Sequence, residues 1–334
     1  MSLVVGTTTT YDSNRLREQF ANVIHMISPE ECPFQGLVER ESVDGRHPEW
    51  STDTLRTPVT SNQQLEGDDY AYATIPATVR VGNYTEIARQ TYLVSRTDEK
   101  NTKAGPKSEL GRQRRKAGVE LKTDIELSLL ANKASNAGAV GTARQSAGFA
   151  AWITSNDSRG ATGGDGGFSG GIVAAAGNGT QRAFTKPLLD ATILAAYTSG
   201  GSPSILMVSP YVKTVFSTLI NDSALRTAQI FNNVKGNEQA TIYSAADTYL
   251  SDFGVLDIMP NRQMARGGAL SARNAYLIDT SKVAIGVLDD IFEDRPAKTG
   301  DADKRALVTE FCLIMKTQAA HGIIADLFGL TAAS

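Results

Sequence analysis

Residues 108–132 read SELGRQRRKAGVELKTDIELSLLAN, and the fold turns on them. Ala117, Leu121, Ile125 and Leu129 recur every fourth residue, with Leu110 extending the ridge upstream. That is the spacing of one apolar helix face. Ser108 supplies a side-chain oxygen for the first free backbone N–H groups. At about 1.5 Å per residue the run predicts a helix longer than about 30 Å. Gly111 and Gly118 are its weak points.

Upstream, two extended runs flank a polar tip. DGRHPEWSTDTL (44–55) is a strand candidate with a polar tail, and TPVTSNQQLEGDD (57–69) is turn-rich. YAYATIPATVRVGNYTEIARQTYLV (70–94) is rich in Thr, Tyr and Val and reads as extended. Together they predict a long β-hairpin. It has too few large aliphatic residues to bury itself, so it is expected to lie on a neighbouring chain. Before it, SNRLREQFANVIHMIS (13–28) predicts one amphipathic helix, with Leu16, Phe20, Val23 and Ile27 on one face.

Downstream, helix and strand patterns alternate without a repeated βαβ rhythm. TKPLLDATILAAYTSGG and SPYVKTVFSTLI predict helices, the second capped by Ser209 with Pro210 at its first position. SILMVS is a short buried strand. Strands are also expected at Ala240–Ser244, Val255–Met259, Ala275–Ile278 and Val283–Leu288, with two more in the tail after Arg305. The fold class is α+β.

Composition narrows the function. The chain has 334 residues, 41% hydrophobic and 21% charged, with a net charge of −3. That is an ordinary globular composition with a folded core. It lacks the basic excess of a dedicated nucleic-acid binder. Cys32 and Cys312 are the two cysteines, too few for a disulfide framework. The first residues lack the pattern of a secretory signal, and no apolar run approaches membrane-spanning length. Synthesis in the cytoplasm is the expectation.

The stretch GATGGDGGFSGG (160–171) holds seven glycines in twelve residues and contains Gly167-Phe168-Ser169-Gly170-Gly171, a literal G-x-S-x-G. A nucleophile elbow needs a strand leading in and a helix leading out, and the flanking residues offer neither. A phosphate loop needs Gly-Lys followed by Ser or Thr, and the chain has no Gly-Lys dipeptide. A flexible connector over 158–181 is therefore expected, with Ser169 an ordinary loop serine. His25, His47 and His321 are scattered, so no metal site is expected. Asp301 and Asp303 read as a solvated acidic turn, and Cys312 as an inert core thiol. No catalytic residue, cofactor or metal is expected.

Two charged runs remain. Lys107, Arg112, Arg114, Arg115, Lys116 and Lys122 stand against Glu109 and Glu120; Asp289, Asp290, Glu293, Asp294, Asp301 and Asp303 stand against Arg295 and Lys298. Such runs are commonly solvated faces. A basic helix and an acidic segment on one chain also suit pairing between copies.

This order of parts resembles the major capsid (major head) proteins of tailed bacteriophages, which share the Hong Kong 97-type fold. The resemblance rests most on NYTEIARQTYLVS (83–95) followed by the helix of 108–132. It implies an N-terminal arm (1–42), an extended β-hairpin loop (43–95), and a peripheral domain (96–157 and 275–334) built on the spine helix. It also implies an axial domain (182–274), beyond the glycine-rich connector. Arg112, Arg114, Arg115, Lys116, Asp289, Asp290, Glu293 and Asp294, with Glu66, Asp68 and Asp69 on the hairpin, are then expected contacts between subunits. The implied function is non-enzymatic: hexamers and pentamers closing an icosahedral head around double-stranded DNA. The implied partners are other copies, a separate scaffolding protein, a portal and a decoration protein, with weak contact to the packaged DNA and none to a membrane. The hairpin from Trp50 to Val94 has no lysine, which argues against a cross-linking lysine there. An encapsulin-like compartment shares the fold and is the nearest alternative; a tail or baseplate protein and a hydrolase using Ser169 are more distant ones.

Overall fold

A computed structural model describes residues 31–331 except 71, 76, 102–107, 221–246 and 299. The helix expected over 13–28 and the strand expected at Ala240–Ser244 lie outside the described residues, as does Lys107. The chain enters through helix α1 (Pro33–Leu37) and strand β1 (Glu39–Ser42). Strands β2 (Glu49–Thr52) and β3 (Val79–Gly82) pair antiparallel. Strand β4 (Glu86–Ser95) and helix α2 (Arg96–Lys100) lead to α3 (Glu109–Leu130), the expected spine. Helix α4 (Phe149–Trp152) and strands β5 (Asp157–Ser158), β6 (Gly167–Ser169), β7 (Ile172–Ala174) and β8 (Arg182–Ala183) follow. Then come helix α5 (Lys186–Thr198), strand β9 (Ile205–Val208) and helix α6 (Pro210–Ile220). The rest is strand: β10 (Thr248–Ser251), β11 (Gly254–Pro260), β12 (Ala275–Ile278), β13 (Val283–Asp294), β14 (Ala302–Met315), β15 (Gly322–Ile324) and β16 (Leu327–Gly329).

A four-stranded sheet in the order β1-β13-β14-β4 carries the spine helix on one face. Ala117, Leu121, Ile125 and Leu129 are buried there, as their spacing predicts. Ser108 Oγ accepts from the Gly111 N–H at 3.1 Å, and Glu99 of α2 accepts from the N–H groups of Glu109 and Leu110. The helix start is thus capped twice. At the far end of β4, Tyr92 and Val94 face the helix and are buried, while Leu93 faces out.

The second sheet has six strands in the order β10-β11-β9-β12-β15-β5. All four residues of β9 are buried because both faces of this sheet are covered. Ile205 and Met207 join Tyr276, Ile278 and the spine helix in one cluster; Leu206 and Val208 join residues of α5 and α6 in the other. A strand buried on both faces reads as a continuous apolar run.

Three expectations need correction. Strands β12 and β15 belong to the six-stranded sheet, beside β9 and β5, so the strands of 275–334 are divided between the two sheets. Their runs read as buried strands in either sheet, and only the pairing with β9 decides. The run 70–94 is likewise not one hairpin strand. It breaks at Asn83–Thr85, and β4 leaves the hairpin to pair with β14 over ten residues.

Third, the glycine-rich stretch is a folded element. Strands β6 and β7 pair through a two-residue turn, Gly170-Gly171, with φ of 61° and 86°. Such a turn needs the left-handed region that glycine alone enters freely. Phe168 stacks on Trp152 with centroids 6.1 Å apart, and Val173 is buried. A Cβ on Gly160 would lie 2.0 Å from the Thr180 carbonyl oxygen. Glycine here permits backbone to pack on backbone.

Candidate functional site

The most exposed feature is the hairpin. Its root is over-determined. Asn83 is fully buried: its amide donates to the Leu313 carbonyl (2.8 Å) and Ser146 Oγ (3.1 Å), and its oxygen accepts from the Ala147 N–H (3.0 Å). Thr85, also fully buried, donates to Glu310 at 2.5 Å, and Arg144 pairs with the same carboxylate. Trp50 donates from its indole to the Met315 carbonyl at 3.0 Å and packs against Ala284, Cys312 and Ile314. Arg80 crosses to Glu49 at 2.6 Å, and His47 stacks on Tyr84 at 4.1 Å.

Beyond Thr52 and Val79 the pairing stops, and every described residue from 53 to 78 is exposed. Leu55, Leu65, Tyr70, Tyr72 and Ile75 are each at least 80% exposed. The same segment carries Asp53, Glu66, Asp68 and Asp69 against Arg56, a net charge of −3 (four carboxylates, one guanidinium). The predicted contact residues Glu66, Asp68 and Asp69 therefore stand in open solvent among apolar side chains. A second exposed apolar group lies where α5 meets the β10–β11 turn: Leu194, Tyr197, Leu250, Phe253 and Val255. The rings of Tyr197 and Phe253 are 4.8 Å apart.

The charged runs do not stand apart as two free surfaces. Arg114 lies 3.9 Å from Glu293 in the same chain. Glu293 also binds Arg305 at 3.0 Å and Arg295 at 3.1 Å, and accepts from the Tyr92 hydroxyl. The Tyr92 hydrogen bond, followed by those from Arg305 and Arg295, holds this carboxyl down at about 2. Burial, then the bond to Glu293, pushes the Tyr92 hydroxyl up to about 12. Arg112 pairs with Glu109 and Lys116 with Glu120, the i,i+3 and i,i+4 partners helix geometry offers. So Arg112, Arg114, Lys116 and Glu293 each have an ion-pair partner within the chain, while Arg114 and Lys116 stay exposed. Arg115, Asp289, Asp290 and Asp294 are exposed.

Sequence reading missed Glu126. It is fully buried on the spine helix and accepts four bonds: from the N–H groups of Phe34 (2.7 Å) and Gln35 (3.0 Å), the Gln35 amide (3.1 Å) and Asn261 (2.8 Å). One carboxylate thereby ties α1, the spine helix and the residue after β11 together. Burial raises its pKa, and the four bonds oppose that. Its place beside Leu129 and Leu130 on the helix was the one clue.

Ser169, His321 and Cys312, the residues considered for catalysis, sit in ordinary structural settings. Ser169 is exposed at the end of β6, and the chain turns into β7 rather than a helix. His321 is buried: its Nδ1 accepts from the Asp279 N–H, and Nε2 faces the Lys282 carbonyl. Burial lowers its pKa to about 4. Cys312 is a buried core thiol pushed up to about 12 by burial. Asp301 pairs with Arg96 and Asp303 with Arg305. Among the described residues no cluster of three metal-ligating side chains occurs, and no helix is long and apolar enough to cross a membrane.

Comparison with known proteins agrees with this picture. A family model described as SU10 major capsid protein matches residues 3–328. The major capsid protein of Escherichia phage Phieco32 is 28% identical over 256 residues, covering 68% of this chain and 73% of that protein. Among solved structures, a chain of Gordonia phage Cozz aligns with a TM-score of 0.58 at 13% identity, covering 98% of this chain and 97% of that one. An encapsulin complex from Synechococcus elongatus aligns at 0.54 and 9% identity, over 96% and 95%. At these identities the solved structures speak for a shared fold, of the Hong Kong 97 type.

Proposed function

The chain belongs to the SU10 major capsid protein family, and on that premise we propose that copies of it, arranged as hexamers and pentamers, build the icosahedral head around double-stranded phage DNA. One observation carries the mode of assembly: the hairpin tip holds five large apolar side chains in open water. A protein that works alone rarely leaves so much apolar surface on one projecting segment. Burying each such side chain fully is worth roughly 1.5–3 kcal/mol, before the cost of ordering the tip. Laid over an adjacent copy, the tip makes a contact that is modest singly and large over a closed shell. The apolar group at α5 and the β10–β11 turn is a second contact, within the axial domain. Arg115, Asp289, Asp290 and Asp294 supply charge pairing between copies.

The net charge of −3 suits a container that touches its DNA weakly, since a strongly basic wall would bind phosphate too tightly. A separate scaffolding protein, a portal and a decoration protein complete the proposed set of partners. Negative-stain imaging of the expressed protein, with and without a co-expressed scaffolding protein, tests the proposal. Closed icosahedral particles are expected, and charge reversal at Arg115 should alter their dependence on salt. Tubes, or only single subunits, would overturn it. The encapsulin alignment keeps one second reading in view, and an enzyme enclosed in the particles would favour it.

A further inference from the structure

The geometry points to a hinge in the projecting arm that lies beyond its short ladder, at 53–54 and 77–78, and not at its root. This rests on the arm's role in assembly proposed above. The root cannot pivot cheaply. Asn83 and Thr85 are fully buried and hydrogen-bonded to two other elements, and Trp50 is held by the Met315 carbonyl. Turning the arm there would strip several buried polar groups of their partners, which leaves each desolvated and unpaired. The backbone at Gly82 is closely packed as well: a Cβ there would sit 2.8 Å from the Glu49 side chain and 3.0 Å from the Pro48 carbonyl.

The four-residue ladder is stiffened further. Arg80 pairs with Glu49, and Thr52 Oγ1 donates to the Val79 carbonyl at 3.2 Å. The ladder then ends for a local reason. The Thr54 N–H turns to the Asp53 carboxylate at 2.8 Å, an alternative that competes with strand pairing. The register would next bring Asp53 opposite Thr78 and Thr54 opposite Ala77, but no ladder pair forms there. Past this point, among the described residues, the tip's own hydrogen bonds are local: the Asp68 N–H to the Leu65 carbonyl, Ser61 Oγ to the Gln63 amide oxygen at 2.8 Å, and the Asp68 and Asp69 carboxylates accepting from the next backbone N–H. The arm is therefore a rigid stub carrying a compliant tip, and the tip adjusts to each neighbour by bending where the ladder stops.

Two cross-links decide this, each made in a Cys32→Ser background. Thr54→Cys with Ala77→Cys would extend the ladder across the hinge, and Ser51→Cys with Arg80→Cys would staple the ladder itself. Each variant is assembled under oxidising conditions and again after reduction, beside the unmodified protein. The expected result is that the 54–77 staple lowers shell yield at least tenfold, reduction restores it, and the 51–80 staple has no effect. If neither staple matters, or if the 51–80 staple also blocks assembly, the hinge is not where the ladder ends. Hydrogen exchange of the soluble subunit gives a second reading without cross-links. Amides of 80–85 should exchange at least a hundredfold more slowly than those of 54–57, and equal rates would overturn the inference. Failure of the unmodified protein to form shells would count against the assembly role instead.

Discussion

Gly160 meets the Thr180 carbonyl at a distance that no side chain survives, and this defines its role more sharply than flexibility does. The carboxylate of Asp326, itself at φ 61°, accepts from the Gly160 N–H at 3.0 Å and closes the same junction. Gly160→Ala must therefore push two backbone segments apart. A loss of about 1–3 kcal/mol is expected, seen as a lower thermal midpoint, whereas a slack connector would tolerate the change. His321 gives a test by titration. Its folded pKa of about 4 lies below the ordinary 6.5, because burial disfavours the charged ring. The unfolded chain then binds the proton first, so stability present above pH 6.5 falls as the pH drops toward 4. His321→Gln should flatten the urea midpoint across that window. A slope equal to that of the unaltered protein would assign the acid sensitivity to other groups.

At the scale of elements, the spine helix is tied to the sheet beneath it by charge as well as by apolar packing. Glu293 on β13 gathers Tyr92 from β4, Arg305 from β14 and Arg114 from the helix. Its carboxyl, at about 2 instead of the ordinary 4.5, contributes stability that is present above pH 4.5 and fades as the pH falls toward 2. Glu293→Gln should remove that part of the acid transition and leave the range above pH 5 sloped as before, by circular dichroism. A melt whose acid limb is unchanged would show that the cluster is solvated in practice. Much of this scale was legible in the sequence. The helix of 108–132, the strands at Ala275–Ile278 and Val283–Leu288 and the Ser108 cap follow from periodicity and capping chemistry, which act locally. What was hidden depends on long-range pairing: the departure of β4 from the hairpin, the placing of β12 and β15, and the partner of Glu293. In the glycine stretch the composition is plain in the sequence and its purpose is not. Glycine serves slack and close packing alike, and only the opposing strand shows which.

For the whole molecule, the two sheets share one apolar cluster through the spine helix, while the hairpin projects from it. The tip makes no described contact with either core, so the fold should not depend on it. Replacing 54–77 with a short Gly/Ser turn should leave the thermal midpoint within a few degrees of the original and abolish shell formation in images. Shells of normal yield would remove the tip from assembly, and a collapsed midpoint would show that it stabilises the subunit after all.

The root of the arm also gives the protein a built-in optical gauge. Trp50 and Trp152 are the only two tryptophans, their rings lie 5.6 Å apart at that root, and Phe168 stacks on Trp152. Tryptophan emission, excited selectively over the ten tyrosines, therefore reports a single place. A bend at the end of the ladder would pass without changing the spectrum, while lifting of the root would part the two indoles and shift it. Recorded in real time during shell closure, the colour of that emission distinguishes the two motions without any label.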